Sequence, residues 1–369
     1  MASTSPPPAP AEEASNNAQV IQALNNLIDH VKNDPACSTD PPALSHYRTI
    51  PNEVQKAYTL IDNGAQMIHS TATKYTLVGK ISMKDQTKLG TDLLRGCELI
   101  GAALHVLLQD STGCSRAVRH LTQRAALAIF INVLHLVESF EDGTAMEGNV
   151  GAQKTGAVWE SCDHVLKKLL PKGNRNAIRR ELLTWQRESN DTMEEFQEMI
   201  DMGPGEAAND NTAAEEEDED YDDFFGMEGE EQYSDDDFAI AKACLQFLKN
   251  SRGNMKISIE TCEVLGEKAQ ETEDGKYLAS ILQVHQFARR VGEGVTDLGS
   301  LMYPPLNDLA QLESQVKKQV QYIKELQDYI LGLEDMPTKI TGLADILTTA
   351  VDARQEEFNA AVASRSSGD

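Results

Sequence analysis

Aromatic residues are scarce in this chain, and basic residues are outnumbered by acidic ones. Only 5% of the 369 residues are aromatic, and 59 acidic side chains against 33 basic ones give a formal net charge of −26. Proteins that read duplex DNA neutralise its phosphates with a basic face, so we expect no direct nucleic-acid binding. Strict alternation of apolar and polar residues is nearly absent as well, which disfavours a β-sandwich and favours helices.

The sequence also lacks paired cysteines and long apolar runs. Its six cysteines are widely spaced, which argues against a zinc site or a disulfide scaffold and favours reduced thiols. The most apolar run, Ala125 to Val137, contains Asn132 and His135 and is shorter than the roughly 20 residues of a membrane span, so no membrane segment is expected. Residues 1–17 lack the basic and apolar regions of a signal peptide and predict a disordered Pro/Ala-rich tail.

What the sequence does have is a helical period that recurs along most of its length. One stretch, Glu188 to Asp237, holds 22 acidic residues without any Lys or Arg, so the rest of the chain carries only −4 of the net −26. We therefore predict an all-α protein of two elongated antiparallel helical bundles joined by a disordered acidic linker. The predicted segments are an N-terminal tail (1–17), an N-terminal bundle (18–202), the linker (203–236), a C-terminal bundle (237–362) and a C-terminal tail (363–369).

The C-terminal third has the most regular pattern. Apolar residues from Ile281 to Met302 step alternately by three and four, which is the spacing of a heptad seam. The turn Tyr303-Pro304-Pro305 separates this helix from a second periodic helix, so the two predict an antiparallel hairpin. The second seam either packs inside the bundle or offers a leucine-zipper-like or helix-loop-helix-like surface to a partner. Its candidate partner-binding residues are Leu309, Leu312, Val316, Ile323, Leu326 and Ile330, and Gln319 occupies one position of the same seam.

Catalytic and ligand-binding patterns are weak throughout. The segment Gly148 to Thr155 resembles a phosphate-binding loop only superficially, because two residues separate its glycine from the Lys-Thr pair. The eight histidines form no HExxH motif, and Trp159 and Trp185 are expected to pack in the core rather than in a cofactor site. The carboxylates cluster in the predicted linker, which could not hold two of them rigidly for acid–base catalysis. We therefore expect no enzyme activity, no cofactor and no metal site.

Two charged features have more than one interpretation. A basic cluster free of acids is either a solvated face, a bipartite nuclear-import signal or a docking site for the acidic linker. Its residues are Lys167, Lys168, Lys172, Arg175, Arg179 and Arg180. In the linker, which is otherwise a solubilising spacer, Ser234 is followed by three aspartates. Because an acid-directed serine kinase reads acids after the serine, we predict phosphorylation of Ser234.

Several segments resemble the cyclin-D-binding protein family in order and spacing. They are Arg124 to Phe140, Gly156 to Cys162, Gln232 to Leu245 and Leu301 to Leu306. The resemblance implies a non-catalytic, all-helical protein of the nucleus and cytoplasm that binds D-type cyclins and helix-loop-helix transcription regulators. It also implies a negative regulator of cell-cycle progression that restrains phosphorylation of the retinoblastoma protein. The family's bundles are similar to those of vinculin and α-catenin.

Three classes of function are therefore open. The first is an interaction protein that sequesters a cyclin or a transcription regulator through helical surfaces. The second is a cytoskeletal or junctional adaptor of the vinculin and α-catenin type, whose bundles open under load. The third, a chaperone of histones or other basic proteins, is the weakest, because acidic tracts that serve this purpose are usually longer or terminal.

Overall fold

The chain is helical wherever its structure is described. The computed structural model describes residues 16–79, 81–205, 232–272 and 275–366, and these ranges contain ten α-helices and no β-strand, which confirms the all-α prediction. The helices are α1 (Asn16–Lys32), α2 (Asn52–Gly79), α3 (Met83–Leu108), α4 (Arg116–Glu141), α5 (Val150–Leu166), α6 (Gly173–Asp201), α7 (Asp235–Thr272), α8 (Gly275–Gly299), α9 (Leu309–Leu331) and α10 (Thr338–Ser366). The closer likeness to vinculin-type bundles stays a prediction.

The chain divides into two compact units, and the boundary lies inside α6. The units are Met1–Ala177 and Ile178–Asp369, whereas the acidic segment predicts that the N-terminal bundle continues to residue 202. Most of α6 belongs to the C-terminal unit because its apolar face packs there. Trp185 of α6 stacks on the ring of His285 in α8, with centroids 5.9 Å apart. The buried faces of helices, rather than the charge of a loop, therefore set the boundary.

The ends of the predicted linker and tail are also shifted. α10 continues to Ser366, so residues 363–366 of the predicted tail are helical. At the end of the predicted linker, α7 begins at Asp235, and the preceding Tyr233 is buried. Its hydroxyl donates a 2.5 Å hydrogen bond to the carbonyl oxygen of Met302, which holds this part of the linker in the C-terminal unit.

Other parts of these segments lie outside the described residues. They are residues 1–15 of the N-terminal tail, 206–231 of the linker and 367–369 of the C-terminal tail. The disorder predicted for them stays a prediction. At the N-terminus, α1 begins at Asn16, which shortens the predicted tail by two residues.

The N-terminal unit packs α1 to α5 into a bundle. Gly64 of α2 lies against Ile100 and Gly96 of α3, and a Cβ at Gly64 would collide with both, so glycine permits the close approach of these helices. Helix α4 is the one described helix long and apolar enough to cross a membrane, and 56% of its apolar window is buried inside the protein. Ile129 and Phe130 are among its fully buried side chains. Burial in a helical core accounts for the apolar composition of α4.

A buried asparagine joins three parts of this unit. The side chain of Asn174 accepts a 2.7 Å hydrogen bond from the backbone N–H of Ser115 and donates to the carbonyl oxygens of His46 and Gly113 at 2.7 and 2.9 Å. It therefore satisfies loop and helix-terminal groups that have no partner within a helix. The His46 side chain is itself buried, and burial lowers the pKa of its imidazole to about 4.

We expect His46 to make the protein less stable as the pH falls. Its imidazole has an ordinary pKa of 6.5 in the unfolded chain and about 4 in the folded one, so the unfolded state binds more protons between these values. The free energy of unfolding should fall by up to about 3 kcal/mol across this window. Denaturant unfolding above pH 6.5 and near pH 4 measures this loss of stability. The substitution His46→Gln should remove the loss. His105→Gln, a substitution at an exposed position, is the control and should leave the loss in place. The same pH dependence in the wild type and His46→Gln would contradict this assignment.

The C-terminal unit contains α6 from Ile178 onward and α7 to α10. α7 and α10 are antiparallel, and Asn250 of α7 donates a 2.9 Å hydrogen bond to the carbonyl oxygen of Leu347. α8 and α9 are also antiparallel, as successive contacts from Arg290–Glu325 to Asp297–Gln315 show. This arrangement confirms the predicted hairpin.

Gln319 is the polar member of the α9 seam, and it is fully buried. Its Nε2 donates hydrogen bonds to Ser251 Oγ of α7 at 2.9 Å and to the carbonyl oxygen of Val291 in α8 at 3.0 Å. Its Oε1 lies close to Gly294 of α8, where a Cβ would collide with it. The amide therefore holds three helices in register, a known role of single polar residues in helical seams.

Substitution of Gly294 tests the importance of this contact. Gly294→Ala should lower the free energy of unfolding by about 2 to 3 kcal/mol, because the new methyl group displaces Gln319 from its two hydrogen-bond partners. The control is Gly342→Ala in α10, where a Cβ meets no atom within 4 Å. The control should be neutral or stabilising by up to about 1 kcal/mol, since alanine favours helix. Equal unfolding midpoints for the two variants in urea would show that Gln319 adapts freely.

Candidate protein-interaction site

The α9 seam forms core rather than surface. At most 2% of each of five predicted partner-binding side chains is exposed, and only the first residue of the helix is half-buried. The buried residues are Leu312, Val316, Ile323, Leu326 and Ile330, and the half-buried one is Leu309. A partner could reach this seam only if the hairpin opened. Of the two interpretations that the sequence allows, the structure therefore supports packing inside the bundle and corrects the exposed-seam hypothesis.

The predicted hairpin turn lies between α8 and α9. Tyr303 is 45% exposed, and its hydroxyl donates a 2.6 Å hydrogen bond to a carboxylate oxygen of Glu195 in α6, which raises the pKa of the phenol. Its ring packs on Phe196, with centroids 5.0 Å apart. Pro304 is buried, Pro305 is exposed, and the bond between them is cis. The turn is thus attached to α6 instead of projecting freely.

The six residues of the basic cluster are divided between the two units. Lys167, Lys168, Lys172 and Arg175 belong to the N-terminal unit, and Arg179 and Arg180 to the C-terminal one. Carboxylates pair with Lys167, Lys172 and Arg179, and these are Asp163 at 2.7 Å, Asp62 at 2.6 Å and Glu263 at 3.8 Å, respectively. Asp62 and Glu263 are distant in sequence, so the cluster is less basic than its sequence indicates. Nuclear import and linker docking stay predictions.

An exposed groove lined by both apolar and polar residues lies between α4 and α5 of the N-terminal unit. Its volume is about 800 Å³, and small residues, including Ala128, Gly156 and Ala157, line it. Two large apolar side chains also line the groove and remain exposed, Trp159 at 38% and Leu169 at 57%. Exposed apolar patches of this kind mark sites of protein interaction.

Trp159 is held firmly in this groove. Its Nε1 donates a 3.2 Å hydrogen bond to the carbonyl oxygen of His69 in α2, and its ring stacks on that imidazole with centroids 5.6 Å apart. The sequence predicts that both tryptophans pack in the core, which is correct for Trp185 (8% exposed) and wrong for Trp159. The signal available in the sequence was the spacing of Gly156 and Trp159, which places a glycine and an aromatic residue on one face of α5.

The C-terminal unit has a second groove, between α6, α7 and the start of α10. Its volume is about 670 Å³, and Leu183, 40% exposed, is one of its apolar residues. Its charged residues pair with one another, Lys339 with Glu260 at 3.1 Å and Arg179 with Glu263 at 3.8 Å. The α4–α5 groove also contains an ion pair, Lys167 with Asp163 at 2.7 Å, but it exposes Trp159, whereas no aromatic side chain is among the described residues that line this second groove.

The thiols do not form a reactive or metal-binding centre in the described part of the chain. The six cysteines are free and buried, and burial raises the pKa of Cys37 to about 11 and that of Cys162 to about 12. Such thiols stay protonated near neutral pH. Over the described residues, no three His, Cys, Asp or Glu side chains are grouped in a way that could hold a metal ion.

Family comparisons match both units. The N-terminal region of Grap2 and cyclin-D-interacting proteins matches residues 60–202, and the C-terminal region matches residues 215–328. The chain belongs to the Grap2 and cyclin-D-interacting protein family. This confirms the resemblance to cyclin-D-binding proteins, which are not a known enzyme family. Among individual curated proteins, none matches the sequence significantly. The family's N-terminal region contains the whole α4–α5 groove, whereas α10 lies beyond both matched regions.

Proposed function

We propose that this protein binds a D-type cyclin through the α4–α5 groove and thereby restrains cell-cycle progression. Membership of a cyclin-D-interacting family is the observation that supports the partner. The groove is the favoured surface because the α9 seam is buried and because the groove exposes Trp159, whereas no aromatic side chain is among the described residues that line the groove of the C-terminal unit.

The shape and chemistry of the groove suit an amphipathic helix of the partner. The small side chains of Ala128 and Gly156 leave room for close approach, while Trp159 and Leu169 provide apolar surface. Tryptophan is enriched among the residues that dominate binding energy in protein interfaces. Because stacking on His69 already orders Trp159, binding should cost little side-chain entropy.

Replacement of Trp159 tests the groove. Trp159→Ala should weaken the affinity for a purified D-type cyclin by about 30-fold or more, as expected for a central aromatic anchor. Isothermal titration calorimetry measures the affinity, and circular dichroism verifies the fold. Ile346→Ala is the control, because Ile346 is a large apolar residue, 65% exposed, on α10 outside both family regions.

Each outcome of this titration decides between the alternatives. Unchanged affinity of a folded Trp159→Ala variant contradicts the groove. If the wild type does not bind the cyclin at all, the partner is wrong. Capture of purified actin-binding or junctional proteins by the same wild-type sample would then favour the adaptor hypothesis.

The same variant tests the regulatory part of the proposal. In a purified assay, added wild-type protein should lower phosphorylation of the retinoblastoma protein by a cyclin-D-dependent kinase. The Trp159→Ala variant should lower this phosphorylation less, because the variant binds less cyclin. Phosphate incorporation measured against protein concentration gives the result. Equal inhibition by both proteins, or none by either, would contradict regulation through this groove.

Binding of helix-loop-helix regulators and a location in nucleus and cytoplasm are further parts of the proposal, supported by the family resemblance alone.

A further inference from the structure

Ser234 occupies the start of α7, at one end of the C-terminal unit. Its exposed Oγ accepts a 3.1 Å hydrogen bond from the backbone N–H of Asp237, and its carbonyl oxygen accepts one from Phe238 at 2.9 Å. Ser234 is therefore the N-cap of α7. The next two residues, Asp235 and Asp236, are exposed to solvent.

The third aspartate, Asp237, is hidden by the last turn of α10. Only 3% of its side chain is exposed, and the guanidinium of Arg365 lies 2.6 Å from Oδ1. Arg365 also donates a 3.2 Å hydrogen bond to the carbonyl oxygen of Leu306, in the segment between α8 and α9. The backbone N–H of Leu306 donates in turn to Asp237 Oδ2 at 3.4 Å. The end of α10, the start of α7 and the α8–α9 segment thus meet at one carboxylate.

We propose that Ser234 is phosphorylated by an acid-directed protein kinase and that the Arg365–Asp237 ion pair controls access to it. Successive side chains of a helix point about 100° apart, so the three aspartates cannot face one basic cleft while the first turn of α7 is intact. Recognition of all three acids requires this turn to open and Asp237 to leave Arg365. When a helix end opens and closes quickly relative to phosphoryl transfer, the rate of modification is proportional to the population of the open form.

The chemical step uses ATP and the kinase's own machinery. Ser234 Oγ attacks the γ-phosphorus of ATP, the bond from that phosphorus to the bridging oxygen breaks, and ADP leaves. The hydroxyl proton passes to the catalytic carboxylate of the kinase. The product carries an added charge of about −1.5 to −2 beside three aspartates.

The added phosphate should loosen the junction that hides Asp237. It repels the carboxylate of Asp237 and attracts Arg365, so the ion pair loses strength from both sides. Opening and phosphorylation therefore favour each other, as linked equilibria require. This coupling does not depend on cyclin binding, so it stands or falls separately from the proposed function.

A kinase assay on the full-length protein tests both parts of the proposal. Purified casein kinase 2, an acid-directed enzyme, is the probe, and peptide mapping by mass spectrometry locates the phosphate. We expect modification of Ser234 in the wild type and none at that position in Ser234→Ala. Arg365→Ala should raise the initial rate at Ser234 by about fivefold or more, because the ion pair that closes the turn is removed. Arg354→Ala is the matched control, since Arg354 lies on the same helix and pairs with Glu357 at 2.6 Å on its surface.

Two results would overturn the proposal. Absence of phosphate at Ser234 in the wild type and in Arg365→Ala rejects the site. Equal initial rates for the wild type, Arg365→Ala and Arg354→Ala reject control by the ion pair.

Hydrogen exchange provides a second measurement in case Arg365→Ala does not fold. Phosphorylated wild-type protein should exchange amide hydrogens faster than the unmodified protein in the first turn of α7 and the last turn of α10, with the middle of both helices unchanged. Unchanged protection at both ends would reject the coupling.

Discussion

The C-terminal unit depends on the burial of one amide, the side chain of Gln319. A buried amide needs hydrogen-bond partners, and the Nε2 of Gln319 finds them on two other helices, at Ser251 and Val291, while its buried Oε1 accepts no hydrogen bond from the described residues. Gln319 also lies against α8 at Gly294, where only a glycine leaves room for its Oε1. The same packing places the apolar residues around Gln319 in the core, where a partner protein cannot reach them. The most regular pattern in the chain therefore forms core, and an accessible interaction surface lies elsewhere.

The two tryptophans show how packing, rather than residue type, decides what is exposed. Trp185 covers His285 and lies against Gly292 of α8, so the C-terminal unit buries it. Trp159 stacks on His69, but 38% of it stays exposed among the described residues. An ordered, exposed tryptophan beside small residues is what a binding site for a helix requires. The family's link to cyclin D gives this groove a candidate partner.

Charge has different consequences in different parts of the chain. The excess of acids is concentrated between Glu188 and Asp237, and most of the predicted linker lies outside the described residues. The last of these acids, Asp237, is buried and paired with Arg365, near the other end of the chain. An acid that looks like part of a solvated run is therefore a structural contact. Ser234, three residues before Asp237, is where the charge of a covalently attached phosphate could act on the Asp237–Arg365 ion pair.

The sequence by itself determined the helices and the antiparallel hairpin around Tyr303, because apolar periodicity and helix-breaking residues act over a few neighbouring positions. The family could also be recognised from short segments in their order. Tertiary structure alone decided that α6 is divided between the units, that the α9 seam is core, that Trp159 is exposed and that Asp237 meets Arg365. Each of these depends on which helices cover which faces, and that choice results from contacts between residues far apart in the chain. A local period indicates that a helix has a face to bury but does not identify the helix that buries it.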